Sequence, residues 1–210
     1  MKLPANDRAD TRTTTDFRCR TATLWVAGLA LAVFSLFLCV DASADSGVPF
    51  GMQALLVSRL GTFDRNFKAR ARPVAKVLVL HRGGNSDSAF EGASLARALA
   101  ELHEIGGVPA NVEEAEYRDA DALANRCRTD RLAVIYLTVG LESETARIAN
   151  ALTGVDVLTV GTTARHAENG AVVGFVLDEA RPKIVLNLTR ARAQNVDFKA
   201  EVLKLSRIVE

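Results

Sequence analysis

The residues best suited to chemistry lie where apolar runs give way to glycine. His81-Arg82-Gly83-Gly84-Asn85-Ser86-Asp87-Ser88 follows the apolar run 74–80 and opens a helical pattern. A loop in that position aims backbone N–H groups and a helix dipole at whatever lies over it, which suits an anion. The glycines lack the spacing of a Walker A loop or of the dinucleotide fingerprint. A turn followed by an N-cap explains the same residue types. Thr138-Val139-Gly140 and Val160-Gly161-Thr162-Thr163 close two further apolar runs. In open α/β sheets the crevice beyond the strand ends takes ligands. His81, Gly83, Gly84, Ser86, Thr138, Gly140, Gly161 and Thr162 are therefore the candidate ligand-binding residues, lining one shallow pocket. The alternative is that Gly and Thr simply turn the chain there.

Catalytic sets are harder to find. His103 sits at a helix end and His166 in a polar stretch, neither with a neighbour that suggests metal or base chemistry. Ser206 and Cys127 fall in helical patterns without a nucleophile elbow, and Cys127 reads as a small core residue. The sequence predicts a protein that is not an enzyme and carries no metal or cofactor.

The elements that must position these loops follow from periodicity. Residues 48–71 read as a helix whose stripe is Leu56, Leu60, Phe63 and Phe67. Because that stripe lies outside the alternating strands and helices, it marks a candidate homodimer interface, with packing on its own sheet as the other option. Strands are expected at 74–81, 111–117, 132–140 and 155–160. Helices are expected from residue 85, 86 or 87 to about 104, from Asp119 through Cys127, and over 142–152. Gly106-Gly107 is expected to end the first of these. A hairpin of 171–177 and 183–188 around Arg181-Pro182, then a helix over 197–209, completes the chain. The nearly continuous apolar run 132–140 suits a sheet interior. The fold class is α/β: a single-domain sandwich with a mainly parallel sheet, an N-terminal helix, and a C-terminal hairpin plus helix.

The first 44 residues differ. A leader with Arg12, Arg18 and Arg20 precedes the apolar run 24–40 and then Asp41-Ala42-Ser43-Ala44, the pattern of a secretory signal peptide cleaved after Ala44. At 17 residues the run is at the lower edge for a membrane anchor. Residues 45–210 would then be one exported, periplasmic domain. It holds 21 basic and 21 acidic residues without a basic block, which argues against nucleic acid as a partner. Only Cys127 remains in it, so no intramolecular disulfide can form.

The last third carries a more specific signal. Val157-Leu158-Thr159-Val160-Gly161, then Gly170, then Lys183-Ile184-Val185-Leu186-Asn187-Leu188, and finally Val202-Leu203-Lys204-Leu205-Ser206-Arg207-Ile208-Val209 appear in that order. This resembles the YfiR/HmsC-like family of periplasmic regulators. The resemblance implies an α/β sandwich, export and often a homodimer. It also implies a partner, the periplasmic region of a membrane diguanylate cyclase or similar sensor, whose cyclic-di-GMP output and biofilm formation the regulator restrains. Membrane contact would come only through that partner or an uncleaved signal. Two family features are missing. The Phe-rich helix ending in Trp-Pro is replaced by Arg59-Leu60-Gly61-Thr62-Phe63-Asp64-Arg65-Asn66-Phe67, with Trp25 in the leader, and the paired cysteines are absent. Disulfide redox control is therefore not expected. The competing function is a single-lobe solute-binding protein serving a transporter, although such proteins usually close two lobes around a cleft.

Overall fold

The computed structural model describes residues 47–210; the expected signal peptide lies outside them. Helix α1 (Phe50–Phe63) and the single turn α2 (Phe67–Arg70) replace the one helix expected over 48–71. The chain breaks at Asp64, which adopts extended backbone, and its carboxylate is buried beside Arg70. Strand β1 (Ala75–Arg82) follows, then α3 (Ser86–Glu101). The glycine pair 106–107 does not end α3. It forms the left-handed turn of a small hairpin between β2 (Glu104–Ile105) and β3 (Val108–Tyr117).

Next come α4 (Ala120–Asp130), β4 (Val134–Leu137), α5 (Thr145–Ala151) and β5 (Leu158–Gly161). Helix α4 opens at Asp119 as expected, and Asp119 caps it, accepting from the Ala122 N–H at 2.7 Å. A short helix α6 (Ala164–Glu168), not foreseen, leads into β6 (Val173–Asp178). The β6–β7 hairpin turns at Glu179 and Ala180, both at positive φ, as a tight two-residue turn demands. Arg181 and Pro182, expected in the turn, instead begin β7 (Arg181–Asn187).

The C-terminus departs most from expectation. Asn187 caps a second unforeseen helix, α7 (Leu188–Ala193), accepting from the Arg190 N–H at 2.9 Å. The helix expected over 197–209 is only α8 (Ala200–Leu205). At Ser206 the backbone turns extended, and β8 (Arg207–Val209) adds to β7 in parallel. The β-branched pair Ile208 and Val209 suits a strand better than a helix end.

The eight strands form one sheet in the order β2-β3-β1-β4-β5-β6-β7-β8, parallel from β3 to β6 and antiparallel at β2–β3 and β6–β7. Alternation divides the core. Val77, Val79, Val134 and Tyr136 face α1 and α3, while Leu78, Leu80, Ile135 and Leu137 pack with α4 and α5. Helix α1 buries Ala54, Val57 and Leu60. The stripe expected at a dimer interface is thus part of the domain's own core: Leu60 and Phe67 are buried, and Leu56 and Phe63 pack against them. Gly61 lets the hairpin close in, since a Cβ there would lie 2.9 Å from Gly106 Cα. Phe90, an apolar position of α3, is 70% exposed. Among the described residues no helix is long and apolar enough to cross a membrane.

Candidate functional site

The strand order reverses at β1, whose neighbours are β3 and β4, so the crevice to inspect lies beyond the C-terminal ends of β1, β4 and β5. Three of the expected residues, Thr138, Gly140 and Thr162, come together there. The chain's own side chains fill the space between them. Glu91, one turn into α3, accepts the Val139 N–H at 2.5 Å and the Thr162 hydroxyl at 3.1 Å. Glu142 accepts the Gly140 N–H at 2.7 Å. Amides that could have held a ligand anion already hold built-in carboxylates, which would repel another negative group.

The α3 N-terminus is likewise occupied. Asn85 Oδ1 accepts the Ser88 N–H at 3.0 Å, and the Asn85 carbonyl accepts from Ala89. Ser86 is the first helical residue and not the cap. Ser88 accepts the Arg82 N–H at 2.8 Å and lies 2.8 Å from the Thr138 hydroxyl, which donates to Leu80 O at 2.9 Å. The Arg82 guanidinium reaches the Gly140 carbonyl at 2.8 Å. Gly84 takes the positive φ of the turn with open space around it, and Gly83 lies under the flexible Glu116 side chain. His81 has its Nδ1 3.1 Å from Glu114 Oε1 on β3; that approach lacks hydrogen-bond geometry, so the nitrogen has no hydrogen-bond partner among the described residues.

Gly161 has a different neighbour from the one expected. His166, on the unforeseen α6, packs directly against it and is fully buried. Its Nε2 lies 3.2 Å from the Thr138 carbonyl, which can only accept, so Nε2 carries the proton and Nδ1 accepts the Thr163 hydroxyl at 3.0 Å. Burial lowers the His166 pKa from its ordinary 6.5, opposed in part by the Glu142 carboxylate and by its hydrogen bonds. The folded protein therefore resists a proton that the unfolded chain accepts. That contribution to stability is complete above about pH 6.5 and declines as pH falls through that value, by no more than about 1.4 kcal/mol per pH unit for one proton. Urea unfolding at successive pH values is expected to show a shallower acid-side slope in His166→Gln than in the parent. Equal slopes would remove His166 as the cause.

Beneath the crevice, Tyr136 donates to Gln53 Oε1 at 3.0 Å, and burial, with the Glu91 carboxylate adding, pushes its phenol well above the ordinary value. Burial also pushes the Cys127 thiol up to about 12, as an inert core residue requires. Of the residues that close the crevice, Ser88 belongs to the loop 81–88 that the sequence marks and His166 is set aside there for want of a chemical neighbour, while Glu91 and Glu142 carry no signal in the sequence. Glu91 falls within an ordinary amphipathic pattern, and nothing local marks it. A separate cleft of about 290 Å³ lies on the opposite face, between the ends of β1 and β3 and the start of α4, lined by Leu78, Leu80, Tyr117, Leu123 and Arg126.

A sequence model of the YfiR/HmsC-like family matches residues 65–207. No curated protein matches the chain in sequence. Among solved structures, the chain is similar to an ABC domain in complex with L-Trp from Streptococcus pneumonia, at TM-score 0.56 and 12% identity over 77% of this chain. A conserved domain protein from Vibrio cholerae gives TM-score 0.56 and 13% identity over 77% of this chain. A ligand-free, open substrate-binding protein with adhesive properties from Clostridium difficile gives 0.51 and 12% over 69%. The chain spans 62%, 60% and 57% of those three proteins. At such identities the likeness is one of fold.

Proposed function

Because the chain belongs to the YfiR/HmsC-like family, we propose that it is an exported regulator that restrains a membrane diguanylate cyclase, or a similar sensor enzyme, by binding its periplasmic part. The family match carries this reading: it runs from the break after α1 to the first residue of β8, and so takes in the whole sheet order. The closed strand-end crevice supports action through contact, since Glu91 and Glu142 occupy the place of a ligand. A regulator of this kind must bind the inactive form of its target more tightly than the active form, because equal affinity shifts nothing. A tenfold shift needs a preference of about 1.4 kcal/mol, within reach of a few surface contacts. In a homodimer Leu60 and Phe67 would not supply the interface, since both are buried in the domain's own core.

The second reading, one lobe of a solute-binding protein, draws on the fold shared with the C. difficile substrate-binding protein. It requires an open crevice at the strand ends, where this chain places carboxylates. The two readings separate in the cell. Deleting the gene is expected to raise cyclic-di-GMP and surface adhesion, and the tagged protein is expected to retain a membrane sensor enzyme from envelope extract. Unchanged cyclic-di-GMP with a permease recovered instead would overturn the regulator in favour of the solute-binding lobe.

A further inference from the structure

Strand β3 runs for ten residues, yet β2 shields only its start, pairing Ile105 with Val108 and Glu104 with Pro109. The Ala110 N–H still reaches His103 O at 3.0 Å. Backbone polar groups alternate sides along a strand inside a sheet. Ala110 turns its amide away from β1, so the amides of Val112, Glu114 and Glu116 face the same open side. Among the described residues nothing accepts from them there. A long open edge is a template for another strand, and proteins commonly guard one with charge.

Here the guard has a single sign. Residues 101–121 carry seven acidic side chains against one arginine. Glu113 pairs with Arg126 at 2.6 Å and Glu114 lies beside His81, while Glu104 and Glu116 are exposed and form no ion pair among the described residues. A second copy laid antiparallel on this edge would set these carboxylates against themselves, and like charges across strands destabilise. We infer that the β3 edge accepts an extended, basic segment of a partner protein as an added strand, with Lys or Arg at alternate positions. Main-chain bonds to Val112, Glu114 and Glu116 supply the register, and the glutamates select the charge. This inference is independent of which membrane enzyme is regulated, and its test reads no cyclic-di-GMP.

The probe is a blocked peptide of about seven residues alternating lysine with valine or threonine, added to the full protein at low salt. Hydrogen exchange is expected to slow at the Val112, Glu114 and Glu116 amides. Affinity is expected to fall about tenfold in Glu104→Lys/Glu116→Lys, whose urea midpoint reports that it still folds, and to fall with added salt. N-methylating every second residue on the bonding side of the peptide is expected to abolish the protection. Equal binding of the methylated peptide would reduce the site to charge alone and overturn the inference. Protection mapped elsewhere, or edge amides already protected by self-association without peptide, would overturn it as well.

Discussion

Replacing Arg70 by methionine is expected to destabilise the domain by about 3–5 kcal/mol, read as a lower urea midpoint. The Arg70 guanidinium donates from Nε to Asp156 at 2.6 Å, to Asp64 at 2.8 Å and to the Asn195 carbonyl at 3.0 Å. The Arg70 side chain is 2% exposed and that of Asp64 is not exposed at all. Asp64 also accepts the N–H groups of Asn66 at 3.0 Å and Asp197 at 3.1 Å. One buried ion pair thus ties the corner between α1 and α2 to the approach to β5 and to the linker before α8. Removing the cation leaves a carboxylate in the interior with no opposite charge beside it, and that uncompensated charge is the source of the loss. Asp156 is nearly half exposed, so its arm adds little. Neutralising the stranded acid as well, in Arg70→Met/Asp64→Asn, is expected to recover part of the stability. A double variant no more stable than Arg70→Met would show that geometry, and not the buried charge, is at stake.

Gly161→Ala is the second large effect, expected at about 1–3 kcal/mol or more from overpacking. A Cβ on Gly161 would fall inside the van der Waals envelope of His166 Cβ and Cγ. His166 cannot swing aside, because both ring nitrogens are held and the residue is fully buried. Only removal of the whole neighbouring side chain, Cβ included, relieves the clash, so Gly161→Ala/His166→Gly is expected to cost less than its two single variants together. Strict additivity in chemical denaturation would place the strain elsewhere. The glycine at the end of β5 is explained by packing, with no ligand required.

The comparison of Gly161 with Glu91 shows where reading residues in order stops. Glycine at a strand end is visible in the chain, but whether it faces a ligand or a histidine depends on α6, five residues with no periodicity long enough to detect. Glu91 looks like any polar position of α3. Its role arises because α3 and the ends of β4 and β5 meet at residues 48 and 71 positions away. The two-residue β2 and three-residue β8 are equally invisible locally, since each exists only because a neighbouring strand offers an edge.

What the sequence determined by itself is the α/β class, the alternation of the longer strands and helices from β1 to β5, the start of α4 at Asp119 and the family. The apolar runs at β1, β4 and β5 are long enough to be strands only in a sheet covered on both faces, and the motifs from Val157 onward carry the family. Only the tertiary structure decided that α1 turns its stripe inward, that Asp64 and Arg70 are buried as a pair, and that the chain ends in a strand. It also decided that the strand-end crevice is filled by Glu91 and Glu142 while, among the described residues, the β3 edge stays open. Each of these depends on groups far apart in the chain. Periodicity reports which face of an element is apolar, but burial, charge pairing and edge exposure are set by what the rest of the chain brings against that face.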